Sequence, residues 1–179
     1  DAEGTEGAFT MTGGSLAYTG ANGPLFFVTN ATGQIALSGV ELTVTSGILA
    51  QAGATDTWGT AGANGGNIVL TADAQTLDGD LVADEISTIT LTLANGSTLA
   101  GAIDSADTAQ SAALTLDASS SWSVTADSHL TTLADDAALD GTTITNITGN
   151  GHTVTYDAGN TANAWLNGGT YNLTGGGTL

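Results

Sequence analysis

Hydrophobic and polar residues alternate with a period of two through most of this chain, in short runs broken by Gly, Asn and Asp. Within 88–93, Ile89, Leu91 and Leu93 share one side of the pattern and Thr88, Thr90 and Thr92 the other. Leu42 and Val44 stand in the same relation to Glu41, Thr43 and Thr45. Side chains on a strand point to opposite faces in turn, so this alternation marks strands with one buried face. Segments 9–11, 25–29, 34–37, 41–45, 67–71, 88–93, 113–117, 121–125, 142–147, 153–156 and 170–173 carry it. Asn-Gly pairs at Asn22, Asn64, Asn95, Asn150 and Asn167 supply turns, because both residues enter the left-handed region at low cost. Pro24 suits the entry to a strand. Helical patterning is confined to two short stretches: Ala-rich 104–113, interrupted by Ser, Thr and Asp, and 130–139, with Leu130, Leu133 and Leu139 at helix-like intervals.

The chain is therefore all-β, and two architectures compete. A sandwich calls for longer strands and an aromatic core, whereas aromatic residues make up only 5% here. A repeated phrase favours a single-chain solenoid instead. It runs Ala36-Leu-Ser-Gly39, Thr76-Leu-Asp-Gly79, Thr98-Leu-Ala-Gly101 and Ala138-Leu-Asp-Gly141. A Leu pointing inward followed by Gly at a corner is what each turn of a β-helix requires. A period of about 20–22 residues would give about eight coils, stacked at about 4.8 Å in a rod near 40 Å long. Residues 1–179 are read as one such domain.

Composition narrows the chemistry. The 179 residues contain no Lys or Arg but eighteen Asp and Glu, a formal charge of −18. Schiff-base chemistry, guanidinium clamps on phosphate and a P-loop lysine are thereby excluded. So is a basic patch for nucleic acid or for an anionic membrane. The partners left are neutral glycans, cations and further copies of the chain. With 10% charged residues, the surface must be largely Thr, Ser, Asn, Ala and Gly, which suits an exported protein. There is no cysteine, so packing and backbone hydrogen bonds must hold the fold. The start at Asp1, within patterned sequence and without a signal-peptide n-region, reads as a processed piece of a larger exported protein.

From Leu114 onward, three stretches share one manner of alternating strand and turn residues. They are LTLDASSSWSVTADSHLTTL (114–133), TTITNITGNGHTVTYD (142–157) and AWLNGGTYNLTGGGTL (164–179). They resemble the closing coils of bacterial right-handed parallel β-helix surface proteins, the adhesin-like and autotransporter-passenger-like group. The resemblance implies a right-handed parallel β-helix, a secreted or cell-surface location and an adhesive or scaffolding role. It supplies no catalytic residues.

Each candidate for chemistry meets a plainer reading. Pectin-active enzymes share the β-helix but hold their anionic substrates with Arg or Lys, which this chain lacks. Hydrolysis of a neutral glycan needs two carboxylates about 5–10 Å apart. Asp78/Asp80, Asp84/Glu85 and Asp135/Asp136 are candidates; of these, Asp78 and Asp80 can align on one face, whereas Asp84 and Glu85 are split. Solvated turn aspartates account for all of them. Thirteen of the acids fall in 73–157, and the loop from Asp78 to Glu85 is the best candidate for Ca²⁺. Its spacing matches neither an EF-hand nor a calcium β-roll, so no cofactor and no metal site is expected. His129 and His152 are isolated. Asp127 and His129 share a strand face with Ser128 opposite, which is poor triad geometry. No catalytic residue is expected.

Thr43/Thr45, Thr55/Thr57, Thr88/Thr90/Thr92, Thr143/Thr145 and Thr153/Thr155 resemble the Thr pairs of ice-binding solenoids, but their irregular intervals predict no continuous array. Sequons at Asn30, Asn95, Asn146 and Asn172 are expected from composition alone. Trp122 and Trp165 belong to the core or an end cap, and Trp58 is free to meet a sugar ring. With no capping helix expected in 1–9 and none after Gly175, copies stacked end to end into filaments are one expectation. The functional expectation is an extracellular structural or adhesin-like β-helical protein, resistant to proteases because trypsin has no site in it. A carbohydrate-binding module, a glycan-active enzyme and an ice-binding solenoid are the alternatives.

Overall fold

The computed structural model describes residues 4–179. Strands dominate, nearly all paired in parallel, and strand neighbours in space are never neighbours in sequence except at one antiparallel hairpin. The longest sheet takes β1 (Thr5–Thr12), β4 (Ala31–Ser38), β7 (Asn67–Asp73), β10 (Thr88–Ala94), β12 (Ser111–Leu116) and β15 (Thr132–Ala134), in that order. A second follows β8 (Thr76–Asp78), β11 (Thr98–Gly101), β13 (Ser121–Val124) and β17 (Thr143–Thr148). It ends with β19 (Asn172–Thr174) and the antiparallel β16 (Leu139–Asp140), both on β17. The third joins β3 (Phe26–Val28), β6 (Ile48–Ala52) and β9 (Asp80–Ala83). Two pairs complete the set: β2 (Ser15–Tyr18) with β5 (Glu41–Val44), and β14 (Ser128–Leu130) with β18 (Val154–Tyr156). The fold is all-β, built from several separate parallel sheets.

Parallel register converts the alternation into columns. Phe9, Ile35, Leu70, Leu91, Leu114 and Leu133 lie directly opposite one another across the longest sheet. Beside them runs Gly33, Ile68, Ile89 and Ala112, and in the second sheet Leu77, Leu99, Trp122 and Ile147. All but Phe9 and Gly33 of these are fully or almost fully buried and belong to one continuous core. Branched aliphatic side chains pack well on a pleated surface, which explains how a chain poor in aromatics closes its interior.

Three of the five predicted Asn-Gly pairs turn through the left-handed region, while neither Asn22 nor Asn64 takes a positive φ. Asn95-Gly96, Asn150-Gly151 and Asn167-Gly168 have positive φ at both residues. The phrase Leu-x-Gly also acts as expected in one pair: Leu77 stacks on Leu99, and a Cβ at Gly101 would sit 2.2 Å from the Gly79 carbonyl oxygen. The wider repeat fails. Leu37 belongs to the first sheet and Leu77 to the second, so the 40-residue interval joins different sheets. Thr88 lies opposite Asn67, 21 residues away, but Val69 lies opposite Gln34, 35 residues away, because residues 53–66 are inserted between β6 and β7. Fewer strands per sheet result: six at most, where about eight were expected.

Neither of the two stretches with helical patterning forms an α-helix. Residues 104–110 form turns that lead into β12, and 130–139 holds only a short 3-10 turn, Asp136–Ala138. Leu130 and Leu133 are both buried, but on strands of different sheets. The chain bends at Thr131 between them, so the three-residue interval mimics a helix. A second 3-10 helix, Thr161–Leu166, lies against β15. It donates Trp165 Nε1–H to the Leu133 carbonyl at 2.9 Å, and Asn163 Oδ1 accepts from the Leu133 N–H at 2.9 Å. Of the stretch 1–9, residues 1–3 lie outside the described ones and β1 begins at Thr5.

Candidate functional site

The acidic pairs do not converge on a reaction centre. Asp78 ends β8 and Asp80 begins β9, with the Gly79 corner between them, so they do not share a strand face. Asp80 Oδ1 accepts from the Ala102 N–H at 2.8 Å. Asp84 Oδ2 accepts from the Ala54 N–H at 2.7 Å, and its Oδ1 accepts from the Ser87 hydroxyl and the Ile86 N–H. Burial pushes the Asp84 carboxyl upward, but these three donors together hold it below the usual range. Asp117 Oδ2 accepts from the Asn95 N–H and Oδ1 from Ser119, which holds its carboxyl far below the usual range. Such carboxylates fasten corners.

The histidines sit on the surface. His129 Nδ1 lies 2.7 Å from Thr155 Oγ1 and 3.7 Å from Asp107 Oδ1, at an open cleft lined also by Asp104, Gln110, Tyr156 and Asp157. Ser128 points the other way, fully buried, and accepts from the Ile103 N–H at 3.1 Å. Asp127 faces His152, at 3.7 Å, rather than His129. Asp127, Ser128 and His129 therefore form no triad. Among the described residues, no group of three or more His, Cys, Asp or Glu could hold a metal ion.

One corner holds the most deeply buried carboxylate among the described residues. Asp135 is 1% exposed and Ser120 likewise. Asn146, on β17, donates its side-chain amide to the Asp135 Oδ1 at 2.9 Å and to the Ser120 carbonyl at 3.2 Å. Asp135 Oδ2 and Asn146 Oδ1 are buried with no hydrogen-bond partner, while the Ser120 hydroxyl is turned to the Asp117 carboxylate. Burial drives the Asp135 carboxyl up to about 6, against the amide hydrogen bond from Asn146 and with added repulsion from Asp136. The sequence offered Asp135 only as half of a pair with Asp136, which lies exposed. Its true neighbours come from other strands, and no local spacing signals them.

The remaining surface candidates scatter. Thr43 is on β5, Thr143 and Thr145 on β17, Thr153 and Thr155 at β18, and Thr55 and Thr57 in the 53–66 insertion. Outward threonines stack in short columns, Thr71, Thr92 and Thr115 on the longest sheet and Thr76 and Thr98 on the second. Trp122 is buried with its Nε1–H donated to the Gly101 carbonyl at 2.8 Å, and Trp58 is 55% exposed. Set against known protein families, curated proteins and solved structures, the chain matches none.

Proposed function

We propose that the chain is a right-handed parallel β-helix that serves as a non-catalytic, extracellular structural or adhesin-like scaffold. The observation that carries this reading is the six-residue column from Phe9 to Leu133, one residue from every strand of the longest sheet. The other sheets draw on the strands between, and an isolated bridge from Leu81 to Ile103 extends the third. A chain that winds through three faces and returns to the first gives this order, and parallel crossovers are right-handed in nearly all cases. A surface of Thr, Ser and Asn without Lys or Arg fits an exterior rich in proteases, as does the resemblance to bacterial surface β-helices.

Self-association belongs to the end formed by β1, β2 and β3, each of which has a strand partner on one side only. At the opposite end, the 3-10 helix Thr161–Leu166 covers β15, and Thr178 bridges both Thr153 and Asn172. Contact through matching edges is two-fold and closes as a dimer, which makes it a more natural product than a filament. The test is incubation of the folded protein with trypsin, chymotrypsin, elastase and pepsin. Survival of the intact mass for hours supports the reading, and rapid cleavage throughout the strands refutes it. A glycan-binding variant of the same role is favoured by Trp58 and by Phe27, 47% exposed. It predicts retention of neutral glycans on an array, without turnover.

A further inference from the structure

The dipeptide Asn-Gly occurs at five places in this chain, and the fold surrounds each copy differently. Such a pair is chemically labile, because glycine has no side chain to hinder attack by its nitrogen on the asparagine Cγ. What holds the two groups decides whether that attack happens. Asn64 is buried, and its Nδ2 donates to the Thr55 and Trp58 carbonyls, both at 2.7 Å. Asn95 Nδ2 donates to Asp73 Oδ1 at 2.6 Å, and the Gly96 N–H, the nucleophile of that pair, donates to Ser119 Oγ at 2.9 Å. Asn150 Nδ2 donates to Ser123 Oγ and to the Val124 carbonyl, and the Gly151 N–H to the Gly176 carbonyl at 3.2 Å. The Asn167 side chain makes no hydrogen bond among the described residues, but its backbone is left-handed, with φ 48° and ψ 30°. That conformation turns the Gly168 nitrogen nearly anti to the Asn167 Cβ, whereas a five-membered imide ring needs the two eclipsed.

Asn22-Gly23 lacks all of these restraints. Asn22 is exposed, in the bend between β2 and β3, and does not take a positive φ. Among the described residues, neither its side chain nor the Gly23 N–H makes a hydrogen bond. The Asn22 carbonyl accepts from the Tyr18 hydroxyl, which draws electron density from the peptide group that must give up the Gly23 proton. We propose that Asn22-Gly23 is a site of spontaneous covalent modification, where the chain deamidates through a cyclic imide. The Gly23 nitrogen bonds to Asn22 Cγ, the Cγ–Nδ2 bond breaks, and ammonia leaves with the Gly23 proton. Water then adds to one of the two imide carbonyls and opens the ring, giving isoaspartate or aspartate with no change of oxidation state. Either product adds a negative charge to a chain already at −18. Isoaspartate also lengthens the main chain by one methylene between β2 and β3, where each strand has only one partner to hold it.

The experiment is incubation of the whole folded chain in mildly alkaline buffer. Aliquots are then unfolded in acid, cut with pepsin and read by mass spectrometry with fragmentation that separates isoaspartate from aspartate. The Asn22 peptide is expected to convert first, at least about tenfold faster than those of Asn64, Asn95 and Asn150, which react only from locally opened states. Keeping the chain unfolded in urea throughout should bring the five rates together. Asn22→Gln should remove the early release of ammonia and leave the other four rates unchanged. Conversion of any other pair as fast as Asn22 in the folded chain overturns the proposal. So does an Asn22 that persists in the folded chain while it converts in the unfolded one.

Discussion

Two buried regions of this molecule solve the same problem in opposite ways. Around β7, β10 and β12, the interior is a set of aliphatic columns whose backbone groups are paired on both sides. At the corner of Asp135, Asn146 and Ser120, the interior is polar and two of its oxygens, Asp135 Oδ2 and Asn146 Oδ1, are unpaired. The first region is complete from its own residues. The second holds a carboxyl whose charged form burial opposes. A chain without Lys or Arg can still bury a carboxylate where backbone N–H groups meet it, as those of Thr108 and Ala109 do at Asp104, whereas Asp135 has only the Asn146 amide as donor.

Stability measurements sharpen the contrast. Leu91 is fully buried between Leu70 and Leu114, and neighbouring strands cannot collapse onto a gap in the column. Leu91→Ala should therefore cost about 3–4 kcal/mol in urea unfolding. Loss below about 1 kcal/mol would mean that the column is loosely packed. Gln75 tests the junction between sheets. Its side-chain Oε1 accepts from the Val40 N–H at 2.7 Å, and its Nε2 donates to the Val40 carbonyl at 2.8 Å. The side chain thus stands in for a missing strand partner, and Gln75→Ala should cost about 2–4 kcal/mol by stranding both groups.

The polar corner should respond with the opposite sign. The raised Asp135 carboxyl favours folding only while it is protonated. Its contribution is full below the ordinary value of 3.8 and disappears as pH rises through about 6. At about 1.4 kcal/mol for each pH unit between those two values, the protein should lose roughly 3 kcal/mol across the window. Asp135→Asn should flatten this slope and stabilise the protein at pH 8 by about 1–2 kcal/mol, since the amide supplies the donor that Asn146 Oδ1 lacks. A pH profile measured by chemical denaturation at each pH checks both. The smallest effect belongs to the outward face: Thr92→Val should change stability by less than about 0.5 kcal/mol.

Much of the first region was legible in the sequence. Ile89, Leu91 and Leu93 alternate against threonines, and the structure buries all three. Asn95-Gly96 and Asn150-Gly151 announced corners because few other pairs accept two left-handed residues in succession. Shorter strands were missed, such as β9 and β14, since three or four residues carry too little alternation to distinguish from a turn. The uneven coil length hid the register, so Leu37 and Leu77 looked equivalent while belonging to different sheets. The polar corner was illegible. Ser120, Asp135 and Asn146 meet only because β13 and β17 run side by side, and Gln75 gave no hint that it would replace a strand.

Residue-resolved amide exchange addresses the aliphatic columns most directly. Exchange is predicted to be slowest in 67–73, 88–94 and 111–116 and fastest in 5–12 at the open edge. Exchange in 88–94 as fast as in 5–12 would contradict the aliphatic columns as the stable core of the molecule.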